Sequence, residues 1–181
     1  VYPYQPAGIW EALATRNKTH YEQGKGDDLY RRSLYTVWKR SSPPPSMMNF
    51  DAPDRYLCVV KRQKTATPLQ SLVLMNDPQF VEASRKLAER MMREGGAAPE
   101  ARISYAFKAL TSRAPRPGEL TLLKQLYKEE LTGFAKDPKR VKGLLDTGES
   151  EWDTSLPAAE LAACTMVATT VMNFDEFVMK R

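Results

Sequence analysis

The sequence predicts an all-α protein, a compact irregular bundle of about five to six helices with long, ordered proline-rich loops. Three observations predict this class. Apolar residues recur at helical spacing through most of the chain, and the 13 prolines stand between these stretches as punctuation. Strand-like alternation is scarce, apart from a short run at residues 56–60. We expect the helices to bury their apolar stripes against one another.

Length and composition indicate one globular domain spanning residues 1–181, which we expect to be a piece of a larger protein. The chain is 42% hydrophobic and 27% charged, as is typical of soluble proteins. Its longest nearly uncharged stretch, residues 156–174, contains Glu160 and falls short of the roughly 20 apolar residues of a transmembrane span. The net charge of +5 is modest and no recognition motif accompanies it, so no nucleic-acid partner is expected.

The first third of the chain reads as loops around one helix. Residues 1–26 are expected to be an irregular lead-in, because Pro3, Pro6 and Gly8 interrupt any pattern. Helical spacing of the apolar residues and acidic residues at the start predict a helix over residues 28–40. Three consecutive prolines in residues 43–45 then favour an extended loop up to residue 53.

Clear start signals predict the remaining helices. Thr67, Pro68 and Gln70 read as N-cap, first helical residue and capping-box partner. Asp77 is likewise predicted to be an N-cap and Pro78 a first helical residue. The helix that they open should stop at the glycines of positions 95 and 96. Further helices are predicted to begin at Pro99, Pro117 and Pro157. Residues 136–153 are expected to be a mobile insert.

The chain carries no recognisable catalytic, metal or cofactor motif. Cys58 and Cys164 each lie in an apolar run and read as small hydrophobic residues, although their pairing stays open. Neither belongs to a Cys-x-x-Cys-His sequence, which excludes covalent haem c within this chain. His20 is the single histidine and lacks the ligand spacing of a zinc site. A nucleophilic pair of Cys58 and His20 is disfavoured, because His20 lies in a polar, glycine-flanked stretch.

Residues 31–70 are the candidate site, because they combine cations with aromatic side chains that include Tyr35, Trp38 and Phe50. The cations singled out here are Arg31, Arg32, Lys39, Arg40, Arg55, Lys61 and Arg62. Such a set can bind an anionic group through guanidinium contacts, or a sugar ring stacked on an aromatic face. The alternative is that the arginines brace the proline loop by bonding its carbonyl groups and pairing with nearby aspartates. The candidate ligand-binding or partner-binding residues are Arg31, Tyr35, Trp38, Arg40, Asp51, Arg55 and Arg62.

The same segment carries a family resemblance. The run DLYRRSLYTVWKR at residues 28–40, PPPSMM at 43–48, FDAP at 50–53 and TPLQ at 67–70 resemble the PSD domain of planctomycete-type cytochrome proteins. Further similarity lies in YQPAGIW at 4–10, in ELA at 160–162 and in NFDEF at 173–177. The resemblance therefore extends over nearly the whole chain, to a family that is a domain of unknown function.

The resemblance implies a setting that the residues alone do not. Similar proteins are large, exported bacterial polypeptides in which a cytochrome c-like domain and another uncharacterised domain precede this one. It implies a periplasmic or cell-surface location, and it places any haem c in another part of the parent protein. The family offers no active-site residues to carry over.

Two hypotheses of function follow. In the first, the chain is a non-catalytic interaction module that docks another domain of its parent, such as the cytochrome c-like one, or a partner protein, through residues 31–70. An apolar patch beside that segment would favour it. In the second, the chain is the ligand-binding part of an exported polysaccharide-degrading or redox enzyme, and it binds an anionic or carbohydrate ligand. A concave site with an exposed Trp38 and converging guanidinium groups would favour that reading.

Overall fold

The computed structural model describes residues 1–6, 8, 21–40, 43–53 and 55–179 of the chain. The described residues form eight α-helices, six of them seven residues or longer, and no strand, which confirms the all-α class. The helices are α1 (Pro45–Asn49), α2 (Pro68–Asn76), α3 (Pro78–Glu94), α4 (Pro99–Thr111), α5 (Pro117–Lys136), α6 (Pro138–Leu145), α7 (Ala158–Met172) and α8 (Asp175–Val178).

The chain divides into two compact units, Val1–Gln70 and Ser71–Arg181. The first unit is mostly irregular, and the second contains the long helices. Whether both belong to one folding domain, as the sequence suggests, stays a prediction. None of the helices formed by the described residues has the length and apolarity needed to cross a membrane.

Helix α7 is the centre of the second unit. Ten of its fifteen residues are buried, and α3, α4, α5 and α6 all pack against it. The helix stays compatible with an apolar core because its hydroxyl groups are satisfied locally: Thr165 Oγ1 donates to the Leu161 carbonyl at 2.8 Å and Thr169 Oγ1 to the Thr165 carbonyl at 3.0 Å. An edge-to-face pair of Phe107 and Phe174, with ring centroids 5.3 Å apart, closes one side of this core.

The start and stop signals of α3 are confirmed. The Asp77 carboxylate accepts from the Gln79 amide at 2.9 Å, and Pro78 occupies the first turn. The helix ends at Glu94 with Gly95 as its C-cap, whose amide donates to the Met91 carbonyl at 3.0 Å. Its buried face contributes to the core of the second unit.

Residues 136–153 are part of the second unit rather than a loop outside it. They contain α6, whose Val141 and Leu145 are buried in the core. The loop that follows α6 is hydrogen-bonded to carboxylates of α3: Ser150 N donates to Glu82 Oε1 at 2.9 Å. This helix and these hydrogen bonds were not expected from the sequence, because the polar loop gives no sign that its partners lie on a distant helix. The mobility expected for this stretch stays a prediction.

The lead-in of the first unit is irregular where it is described, and its backbone forms hydrogen bonds with later residues of the same unit. Gly24 N donates to the Tyr2 carbonyl at 2.8 Å and Val37 N to the Val1 carbonyl at 3.0 Å. Tyr2 and Tyr21 form an edge-to-face pair with centroids 5.3 Å apart. His20, and Asp54 as one of the aspartates that could pair with the arginines of the proline loop, lie outside the described residues.

The helix expected over residues 28–40 is wrong. The chain instead forms two short 3₁₀ helices, Gly26–Tyr30 and Ser33–Tyr35, and Thr36 is extended. The stripe that suggested the helix is largely unburied, since Leu34 is 75% exposed. An isolated helix of this length is marginal without a buried face. The Val37 amide therefore donates to the Val1 carbonyl instead of to a carbonyl within a helix.

The proline-rich stretch also differs from the extended loop that the sequence predicts. The third of the three prolines, Pro45, occupies the first position of α1 instead of an extended segment. Proline suits this position because its fixed φ is helical and its missing N–H is not needed there.

Candidate functional site

Asp51 organises the loop between α1 and α2 in the first unit. Its backbone has φ +58°, a left-handed conformation that aspartate tolerates better than most residues. Its carboxylate accepts from the Thr65 amide at 2.7 Å and from the Thr65 hydroxyl at 2.9 and 3.0 Å. One short side chain thus fixes a stretch fourteen residues further along the chain.

Arg62 and Gln70 complete this loop clamp. The Arg62 Nε donates to the Asp51 carbonyl at 2.7 Å, and its Nη2 donates to the Phe50 carbonyl. Gln70 is buried, and its side-chain Nε2 donates to the Asn49 carbonyl at 2.8 Å. The capping box predicted for α2 is confirmed, because the Thr67 amide donates to Gln70 Oε1 at 3.2 Å and the Gln70 amide to Thr67 Oγ1 at 3.4 Å. These contacts match the bracing interpretation of Arg62.

Two of the other candidate arginines, Arg55 and Arg40, pair with aromatic rings. The guanidinium carbon of Arg55 lies 4.6 Å from the ring centroid of Trp38, and that of Arg40 lies 4.9 Å from that of Tyr56. The Tyr56 hydroxyl also donates to the Arg40 carbonyl at 3.0 Å. Both are cation–π contacts within the chain. The Trp38 indole Nε1 is buried and finds no hydrogen-bond partner in the part of the chain that the structure describes.

Arg31 and Tyr35 are exposed, and no contact joins them to the loop clamp within the described residues. The Tyr35 carbonyl accepts from the N-terminal ammonium of Val1 at 2.8 Å. The seven candidate residues therefore form three separate arrangements: the clamp of Asp51 and Arg62, the two arginine–aromatic pairs, and the exposed surface of Arg31 and Tyr35.

An exposed apolar segment, residues 56–60, is the feature that the sequence interpretation missed. Leu57 is 80% exposed, Val59 53%, and Val60 is fully exposed. Cys58, expected in the core, is an exposed free thiol, whereas Cys164 is buried and free. The alternating, β-branched run was visible in the sequence, but its exposure was not. It lies outside because the clamp ties Asp51 to Thr65 and leaves the intervening residues to project.

The backbone of this segment is also unpaired. Residues 57–60 form no backbone hydrogen bond with any described residue. Four cations, Arg55, Lys61, Arg62 and Lys64, lie between residues 55 and 64, without any acidic residue. Arg55, Lys61 and Arg62 form no ion pair within the described ranges. The segment is therefore apolar at its centre and positively charged on both sides.

Burial raises the pKa of several groups outside this segment, including Tyr21 and Cys164. Desolvation and the neighbouring Tyr2 raise the pKa of Tyr21 to about 12, so its hydroxyl stays protonated and donates to the Pro3 carbonyl. Burial likewise raises the pKa of the Cys164 thiol to about 11. No group of three or more His, Cys, Asp or Glu side chains suited to a metal ion occurs among the described residues.

The fold and the candidate site define an all-α protein whose first unit combines a clamped loop with a projecting apolar and cationic segment. The family model PSD1, described as a protein of unknown function (DUF1553), matches residues 1–127. The match covers all of the first unit and the second unit as far as Tyr127, so the chain belongs to this family. The resemblance noted at residues 160–177 lies beyond the matched part and stays a prediction.

No curated protein and no solved structure shows significant similarity to the chain.

Proposed function

We propose that the chain is a non-catalytic interaction module that docks another domain of its parent polypeptide, or a partner protein, through residues 31–70. One observation carries the proposal: the 56–60 segment presents Leu57, Val59 and Val60 to solvent beside three cations, Arg55, Lys61 and Arg62, that form no ion pair with any described residue. Single exposed apolar residues are common, but contiguous ones rimmed by polar groups mark interaction surfaces.

The energetics favour a covered state of this segment. Full burial of a valine or leucine side chain contributes about 1.5–3 kcal/mol. Three such side chains within four residues supply more than a single apolar contact does. The clamp already holds the ends of the loop, which lowers the ordering entropy lost on binding. The surface is thus suited to association with a protein of complementary shape.

The wider setting belongs to the same proposal. The resemblance to planctomycete-type cytochrome proteins supports an exported parent, located in the periplasm or at the cell surface. It also supports a cytochrome c-like domain as the docking partner, with haem c held there rather than in this chain.

Labelling of Cys58 tests the docking proposal, because this thiol lies in the middle of the 56–60 segment. Alkylation by iodoacetamide is measured by mass spectrometry in the isolated chain, in the intact parent polypeptide and in native cell extract. Docking predicts that Cys58 reacts about ten-fold more slowly in the parent or the extract than in the isolated chain. Equal rates in all three would refute the proposal.

A matched control separates docking from a general loss of reagent access. Leu122 on α5 is 68% exposed and belongs to the second unit. A thiol introduced by Leu122→Cys should therefore react at the same rate in the isolated chain and in the parent.

A second candidate function is binding of an anionic or carbohydrate ligand. The observation in its favour is the buried Trp38 Nε1 without an acceptor, beside the guanidinium of Arg55. Against it, Arg40, Arg55 and Arg62 already have partners within the chain.

An array of sulfated, acidic and neutral polysaccharides tests this second function. The unmodified chain is compared with Trp38→Ala, Arg40→Ala and Trp38→Phe, of which the last keeps a ring but removes the N–H donor. Saturable binding that all three folded variants weaken would support a ligand site. Absence of binding by the folded, unmodified chain would exclude these ligands.

A further inference from the structure

We infer that residues 57–60 bind by strand addition to an extended partner segment that has apolar residues at its centre and carboxylates on its flanks. This inference rests on the proposed docking function and names the chemistry of the partner. It is argued from the unpaired backbone of the segment, from its side chains and from its charge.

The backbone carries the first step of the argument. Residues 57–60 expose their main-chain donors and acceptors without a hydrogen-bond partner among the described residues. Such a row of free groups is a template for another extended chain, which supplies hydrogen bonds along its whole length. A partner helix would leave these groups unpaired, whereas a partner strand satisfies them.

The side chains carry the second step. The chain bends at residues 57 and 60 in the structure, so strand addition requires the segment to straighten on binding. Once it is extended, Cys58 and Val60 lie on one face and Leu57 and Val59 on the other. Both faces are therefore apolar, and the β-branched valines suit a strand. An anionic membrane surface would accept the apolar groups and the cations. It is disfavoured because the hydrocarbon region does not satisfy exposed backbone groups.

The charges decide between a second copy of this chain and an acidic partner. An antiparallel pair of two such segments centred on Cys58 would place Arg55 opposite Lys61. Like charges directly opposite each other destabilise a strand pair. A partner segment with Glu or Asp at these positions gains opposite-charge pairs instead, so the geometry favours a different, acidic segment over self-association.

A synthetic probe tests the inference on the full chain. The probe is a fluorescein-labelled nonapeptide with the sequence EETVIVTEE, and its binding is followed by fluorescence anisotropy under reducing conditions. One control peptide carries lysine in place of each glutamate, and another carries proline in place of the central isoleucine. We expect saturable binding of the first peptide, with both controls at least about ten-fold weaker.

Variants of the chain locate the binding. Val59→Pro removes a main-chain donor and should weaken binding of the probe about ten-fold or more. Leu57→Ser should weaken it less, because the backbone stays intact. Leu122→Ser changes an equally exposed apolar residue of the second unit and should leave binding unchanged. Circular dichroism confirms that each variant is folded.

Several results would overturn the inference. These are no saturable binding of the acidic probe, equal binding of the lysine probe, no effect of Val59→Pro, saturable binding to phosphatidylserine vesicles in place of the probe, or a dimer that Val59→Pro dissociates. Strand addition fails alone if the probe does not bind but Cys58 is still protected in the parent polypeptide. The docking function fails as well if Cys58 is not protected there.

Discussion

The two units of the chain differ most clearly in charge. Residues 1–70 contain eleven Lys and Arg and six Asp and Glu, so the whole formal charge of +5 falls in the first unit. Residues 71–181 contain sixteen of each and are formally neutral. The nine ion pairs formed among the described residues all lie between positions 82 and 176. The second unit forms many internal ion pairs, whereas none is found among the described residues of the first.

Apolar side chains show the same contrast. The second unit buries a continuous core around α7. The first unit buries Leu29 but leaves Leu34, Leu57 and Val60 largely exposed. The docking surface proposed above therefore lies in the unit that leaves these apolar side chains exposed, and not in the unit that buries a continuous core.

Thiol reactivity should show the largest difference between the units. In the isolated chain, exposed Cys58 should be alkylated directly, whereas Cys164 is 1% exposed and reacts only after local or global opening. A stability of about 5 kcal/mol corresponds to a ratio of rates of at least about a thousand. Time-resolved iodoacetamide labelling with mass spectrometry measures the ratio. Similar rates for the two thiols would break the comparison.

The next effect concerns Glu82, which ties the loop after α6 to α3. Its carboxylate is the one ion-pair partner that the fully buried Arg85 has among the described residues, at 3.7 Å. Nε and Nη1 of Arg85 find no hydrogen-bond acceptor within the same part of the chain. Glu82→Ala leaves this charge buried and unpaired, which should lower the free energy of unfolding by about 3–5 kcal/mol. Urea unfolding followed by circular dichroism at 222 nm measures the change.

A surface carboxylate provides the control for Glu82. Glu129 is exposed and accepts a hydrogen bond from the Gln125 side chain. Glu129→Ala should change the free energy of unfolding by no more than about 0.5 kcal/mol. Equal losses in the two variants would mean that burial of the Glu82 and Arg85 pair does not govern stability.

Local signals in the sequence predicted the helices of the second unit well. The N-cap at Asp77 and the stop at Gly95 depend on residues within one turn of the helix end, and both are confirmed. The tie between Glu82 and Ser150 could not be predicted in this way, because the two residues are 68 positions apart. The contacts of the loop after α6 were not expected from the sequence for the same reason.

The candidate site was predicted in composition but not in arrangement. Asp51 and Arg62 do meet, yet they act on backbone groups of their own loop. The helix expected over residues 28–40 was wrong because periodicity shows a stripe but not whether a surface exists to bury it. Exposure of Cys58 and its neighbours was missed for the same reason, since an apolar run is assigned to the core by default.

Gly148 should show a smaller loss in the second unit. It has φ +95°, and a Cβ atom there would collide with the Glu82 side chain. Gly148→Ala combines backbone strain with displacement of this carboxylate, which should lower the free energy of unfolding by about 1–3 kcal/mol. Gly8 in the first unit also has a positive φ, but no atom of the described residues lies within 4 Å of its Cβ position. Gly8→Ala should therefore cost less than Gly148→Ala in the same urea titration.

The smallest effect is the pH dependence of the second unit. Arg113 lowers the pKa of the Glu119 carboxyl to about 2, and Ser155 together with Arg93 lowers that of Asp153 to about 2. Unfolded carboxyl groups titrate near pH 4. Because the folded pKa values are lower, the stabilisation is present above about pH 4 and is lost as the pH falls towards 2.

Urea midpoints at pH 6, 4, 3 and 2 measure this loss, and Glu119→Gln should make the decline shallower because it removes one of the two groups. Both pairs lie at the surface, so 0.5 M NaCl should weaken the effect. A midpoint that stays constant from pH 6 to 2 would show that internal ion pairs do not stabilise the second unit. The two units would then differ in stability terms only in how they bury or expose their apolar side chains. An unchanged slope in Glu119→Gln would instead assign the acid sensitivity to the other carboxyl groups of the second unit whose pKa is lowered, namely Asp153, Glu94 and Glu100.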